Sequence, residues 1–119
     1  GAAMAYRNWL QRKPGETLAE IGLAQCELML RISALDPVLT IKSANEKPGS
    51  VQDQLMAADI EVAQGAHRQA FDRLIATMKV VTGDDKNKVK EHLLGLFKLV
   101  DPRDPDLIRA RKELASALF

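Results

Sequence analysis

The sequence predicts an all-α fold, a right-handed stack of antiparallel helical hairpins with a capping C-terminal hairpin. Three observations carry that expectation. Apolar residues recur at spacings of three and four along most of the chain, as they do in helices that bury one face. Pro14-Gly15, Pro48-Gly49 and Thr82-Gly83 stand 34 residues apart, and Ile21 with Leu55, Ala24 with Ala58, Glu27 with Glu61 and Ile41 with Ile75 keep the same register. No segment alternates apolar and polar residues as a half-buried strand would.

Each helix has its own local reasons. Residues 4–13 place Tyr6, Trp9 and Leu10 on one side and fit the second helix of a preceding repeat. Residues 16–35 carry Leu18, Ile21, Gln25, Leu28, Ile32 and Leu35 at alternating spacings of three and four. Asp36-Pro37 then starts a helix of about ten residues, with Asp as cap and Pro at the first helical position, where a missing N–H costs nothing. Pro48-Gly49 ends it. Over residues 51–64, Val51, Leu55, Ala58 and Val62 form one apolar stripe and Met56, Ile60 and Ala63 another, so this helix is buried on two sides. Ser50 caps it, with Asp53 three residues on as a weak capping box. Gly65 supplies the turn into residues 66–81, where Ala70, Phe71, Leu74, Ile75 and Met78 share a face. Asp84 and Asp85 favour the next helix start by capping and by opposing the macrodipole. Val89, Leu93, Leu96 and Val100 then run to a stop at Asp101-Pro102. Asp104-Pro105 opens the last helix, which buries Leu107, Leu114 and Leu118.

A 34-residue period is that of tetratricopeptide repeats. Ala58, Gly65 and Ala70 fall at the offsets where that motif wants a small residue, a turn and a second small residue. The expected organisation is one tetratricopeptide-like domain over residues 1–119. Within it, 1–14 is the end of a truncated repeat, 15–48 and 49–82 are repeats, and 83–119 is a capping hairpin that closes the hydrophobic stack. The chain reads as a piece of something larger.

Composition narrows the function. The 119 residues are 46% hydrophobic and 28% charged, enough for one globular unit whose core needs no disulfide or metal. Cys26 is the single cysteine, so a reducing, cytoplasmic setting is expected. The start of the chain lacks a basic segment followed by an apolar one, so no signal peptide is expected. No apolar run approaches the roughly 20 residues of a membrane span. Seventeen basic against sixteen acidic residues give a net charge of +1, without the excess of a nucleic-acid binder.

Signals for chemistry are weak, and neither a catalytic residue, a cofactor nor a metal is expected. His67 and His92 have no second ligand at metal spacing and read as surface or interhelical histidines. Cys26 aligns with Ile60 and reads as a small core residue rather than a redox thiol. Lys79, Lys86, Lys88 and Lys90 have no interleaved aromatics and read as a solvated face. What remains is a surface for proteins. The groove-facing offsets give Leu18, Ile21, Gln25 and Leu28 in one repeat and Gln52, Leu55, Asp59 and Val62 in the next. These lack the basic cluster that acidic peptide tails need. The stripe is mostly apolar, and it serves either as a partner surface or as core.

Residues 56–65 (MAADIEVAQG), 70–75 (AFDRLI), 92–97 (HLLGLF) and 114–119 (LASALF) go further than a generic repeat. They resemble the C-terminal tetratricopeptide domain of the YbbN-type thioredoxin-like co-chaperones, the chaperedoxins. The resemblance covers roughly residues 5–119 and is strongest over the last 65 or so. It implies a stress-linked holdase that keeps unfolding clients soluble and passes them to the chaperonin and the DnaK-type chaperone. It also implies a chaperonin contact on the last helix, at Arg111, Leu114, Leu118 and Phe119. The thioredoxin domain of that family has no counterpart in these residues. A module of another class is also open: a purely structural unit that docks the thioredoxin domain, or a homodimer through the open N-terminal repeat near Tyr6 and Trp9.

Overall fold

The computed structural model describes residues 17–118, and over them the chain is all-helical. The helices are α1 (Thr17–Ile32), α2 (Pro37–Glu46), α3 (Val51–Ala63), α4 (His67–Val80), α5 (Gly83–Phe97) and α6 (Pro105–Leu118). No strand occurs among the described residues. Tyr6, Trp9, Leu10 and Phe119 lie outside them, as does the expected helix over residues 4–13.

Local chemistry sets most of the boundaries. The Asp36 carboxylate accepts the Leu39 backbone N–H at 2.9 Å, and Pro37 opens α2. Ser50 Oγ accepts the Asp53 N–H at 3.4 Å and caps α3. Gly65 takes φ of +81° between α3 and α4, a left-handed value that strains any residue with a Cβ. Two expected ends move. α1 stops at Ile32, three residues short of Leu35, where a turn begins with the Leu35 N–H bonded to the Ile32 carbonyl. α5 stops at Phe97 rather than at Asp101-Pro102, yet Val100 still enters the core through the turn over residues 98–100. Asp84 and Asp85 sit in the first turn of α5, where they oppose the macrodipole but do not cap. The cap position belongs to Thr82, whose side chain makes no capping bond.

α3 is the centre of the stack. It packs against α1, α2, α4 and α5, while α4 packs against α3, α5 and α6. The expected double stripe explains this, since Leu55, Ala57, Ala58, Ile60 and Val62 are all buried around α3. Ala57, Ala58 and Ala70 are fully enclosed and leave room for close helix approach. The largest enclosed side chains are Phe71, Leu74 and Met78 of α4, Val89, Leu93 and Leu96 of α5, and Leu107 of α6. Phe71 meets Phe97 edge to face, with centroids 5.1 Å apart and planes at 89°. The core therefore runs along α4, between α3 and the two C-terminal helices.

Candidate partner-binding surface

The described residues offer little for chemistry. They contain no group of three His, Cys, Asp or Glu able to hold a metal ion. None of the described helices is long and apolar enough to cross a membrane. Cys26 is half-buried and unpaired with another cysteine. The polar groups of α3 bear on which of its faces are closed and which are left open.

Asp59 sits on α3 with its side chain 3% exposed, and it joins three helices. Arg31 of α1 grips it with two hydrogen bonds, Nε to Oδ2 at 2.8 Å and Nη2 to Oδ1 at 3.0 Å. His92 of α5 lies with Nε2 2.7 Å from Oδ1. Burial pushes the Asp59 carboxyl up, but the hydrogen bonds and charges of His92 and Arg31 outweigh it and hold the group below its ordinary range. On another face of α3, Arg73 of α4 holds Glu61 at 2.7 and 3.2 Å and donates to Gln54 at 3.0 Å. Gln54 in turn donates to the backbone carbonyls of Ala44 and Lys47, tying in the end of α2. No buried side-chain polar atom among the described residues lacks a partner. Both clusters are internally satisfied, so they fix helix positions rather than wait for a ligand. Beside the second cluster, Ala44, Pro48, Gln54, Arg73, Ala76 and Val80 line a cleft of about 560 Å³ between α2 and α4.

The expected groove residues divide on this geometry. Leu28, Leu55 and Val62 are core side chains, because α1 packs directly on α3 and closes the stripe. Asp59 is enclosed by Arg31 and His92, and Ile21 is half-buried. Leu18, Gln25 and Gln52 remain exposed. The surface in front of the first helices is thus not an open apolar groove. His92 proves interhelical, and His67 stacks on Phe71 with Nδ1 3.5 Å from Asp104.

The last helix divides in the same way. Leu114 is 7% exposed and anchors α6 in the core with Leu107 and Ala110. Arg111 is exposed, its guanidinium 6.0 Å from the Phe97 ring centroid. Leu118, expected to be buried with Leu107 and Leu114, is instead exposed in the last turn of α6, and Phe119 lies outside the described residues. Ile108 adds to these, at 44% exposure, and was not among the expected positions. Ile108, Arg111, Ala115 and Leu118 follow one another at spacings of three, four and three, so they form one outward stripe of α6. That spacing is visible in the sequence once Leu107, Ala110 and Leu114 are assigned to the inner face.

Comparison with known proteins bears on the fold. Residues 35–119, which take in α2 to α6, match the family model described as tetratricopeptide repeat. Uncharacterized proteins of Mycobacterium bovis and of two strains of Mycobacterium tuberculosis are each 31% identical over 118 residues, 99% of this chain. The chain spans 38% of the length of those relatives. No solved structure matches.

Proposed function

This chain belongs to the tetratricopeptide repeat family, and from that premise we propose that it is the protein-interaction module of a thioredoxin-like co-chaperone. The module is non-enzymatic and cytoplasmic, and its partners are unfolded clients, the chaperonin and the thioredoxin domain of the same protein. The resemblance of residues 56–65, 92–97 and 114–119 to the chaperedoxins supports the choice of partner. The observation that carries it furthest is the outward stripe of α6. There Ile108 and Leu118 stay more than two-fifths exposed beside Arg111, although the opposite face of the same helix is fully packed. Apolar side chains next to an arginine are the composition of a protein contact. Leu114 supports that stripe from inside the core rather than touching the partner.

The test is co-sedimentation with the large cytosolic chaperonin, using the full chain, a chain truncated after Ala117, and Ile108→Asp. Binding that is lost in both variants while their melting stays unchanged is the expected result. Absence of binding by the intact folded chain refutes the chaperonin contact. The structural reading has its own support in the exposed Leu18, Met29 and Leu30 of α1. It predicts self-association or docking of the thioredoxin domain, with no affinity for unfolded proteins.

A further inference from the structure

α1 and α2 follow one another in the chain but do not pack together as a hairpin. α1 lies instead on α3, and no other described helix gives it a comparable seat. The stretch that matches the tetratricopeptide family begins at residue 35, after α1 has ended at Ile32. Leu18, Met29 and Leu30 stay exposed on the outer side of α1. This helix is therefore an addition to the matching ones, held chiefly by its contact with α3.

The seat beneath α1 has a definite chemistry. Leu55, Asp59 and Val62 stand at spacings of four and three, so they share one face of α3. Leu28 of α1 is buried in the same core cluster as Leu55 and Val62, and Ile32 packs against that cluster. Between these apolar positions Arg31 sets two N–H groups on the Asp59 carboxylate, Nε on Oδ2 at 2.8 Å and Nη2 on Oδ1 at 3.0 Å. His92 Nε2 lies 2.7 Å from Oδ1, which leaves Oδ2 to the arginine. A guanidinium fits such a carboxylate better than an ammonium does, because it supplies both hydrogen bonds from one rigid plane. Leu28, Arg31 and Ile32 thus define what the face accepts: an apolar residue, an arginine three positions on, and an apolar residue next to it.

We propose that α1 is a displaceable cover, and that the face of α3 beneath it is a binding site for an amphipathic helix of a partner protein that carries this apolar–arginine–apolar pattern. The arginine selects the occupant. A helix with the apolar pair alone leaves Oδ2 of a nearly enclosed carboxylate without a partner, and that counts against it. A second copy of the chain offers no free helix of this kind, because its own α1 is already seated. The site is built on α3 rather than on α6, so it does not depend on what the outward stripe of α6 binds.

The probe is a synthetic peptide of residues 17–32 with Cys26→Ser, made with Arg31 and again with Arg31→Lys. Hydrogen exchange of the intact chain, read by mass spectrometry, is expected to show α1 exchanging several-fold faster than α3. Excess arginine peptide is expected to strip the remaining protection from α1 while α3 and α4 keep theirs. The chain's own α1 competes at an effective concentration in roughly the millimolar range, so Leu28→Asp, which loosens it, is expected to bind the fluorescein-labelled peptide about tenfold more tightly by anisotropy. The Arg31→Lys peptide is expected to bind that variant about tenfold more weakly than the arginine peptide. Three results overturn the proposal: α1 exchanging no faster than α3, protection of α1 unmoved by excess peptide, or equal binding of the two peptides. Where Leu28→Asp does not fold, the exchange experiment on the intact chain decides alone. A chain that light scattering shows to be dimeric, and that the peptide splits into monomers, assigns the face to α1 of a second copy and overturns the choice of occupant.

Discussion

Replacing Asp59 by Asn separates a structural tie from a bystander charge. The substitution keeps the size of the side chain but removes its charge and turns one oxygen into a donor. The carboxylate now accepts three hydrogen bonds, two from Arg31 and one from His92. An amide oxygen can keep at most the pair directed at Oδ1, and the new NH2 then faces Arg31 Nε, donor against donor. Breaking one partner out of a buried ion pair costs about 3–5 kcal/mol. Arg31 is 39% exposed and regains water, which places the expected loss at the lower end, about 3 kcal/mol. For a domain of this size that lowers Tm by roughly 10 °C. The pH dependence adds a second reading of the same group. The folded carboxyl titrates below its ordinary value of 3.8, so the unfolded chain takes up the proton first as pH falls. The stability it contributes is complete above about pH 4 and is lost as pH falls through the folded value. Urea unfolding of wild type and Asp59→Asn, followed by far-UV circular dichroism from pH 7 down to pH 3, measures both. The variant is expected to be weaker at neutral pH and to lose less stability on acidification. A loss below about 1 kcal/mol at neutral pH, or an unchanged acid slope, refutes the argument that this carboxylate ties the three helices.

Three further substitutions test the packing and the turn after α3. Phe71→Ala empties the position between His67 and Phe97 and is expected to cost about 3–5 kcal/mol in urea unfolding, against less than about 0.5 kcal/mol for the exposed Leu118→Ala. Gly65→Ala meets no neighbouring atom, so its expected cost is that of the left-handed backbone alone, about 1–2 kcal/mol, seen as a lower Tm with the helical spectrum intact.

How much of this was legible in the sequence depends on how far apart the interacting groups lie. Asp36, Pro37, Ser50 and Gly65 act on residues one to three positions away, and their helix boundaries follow directly from local chemistry. The apolar period gave the order of helices and the burial of α3 on several sides. The partners of Asp59 lie 28 and 33 residues away, and no local pattern marks them. In the sequence it looked like one polar position in a groove. Leu28, Leu55 and Val62 show the other gap, because a stripe that lines a groove and a stripe that fills a core have the same spacing. Only the packing of α1 on α3 separates the two. On α6 the spacing of Leu107, Leu114 and Leu118 predicts one inner face, and it holds for Leu107 and Leu114 but not for Leu118, which is 43% exposed, while Ile108 on the outer side carries no signal by itself as a single exposed isoleucine.

The central position of α3 has a consequence for how the chain opens. Arrays of repeats unzip from their ends when each unit leans only on its neighbours. Here α3 leans on four helices and holds Asp59, Gln54 and Glu61 in bonds to all four of them. Its backbone amides can exchange with solvent only when most of the domain comes apart, whereas α1 and α6, each leaning mainly on one helix, can release on their own. Among the described helices, α1 and α6 are thus the parts that open most readily, while α3 holds the arrangement between them.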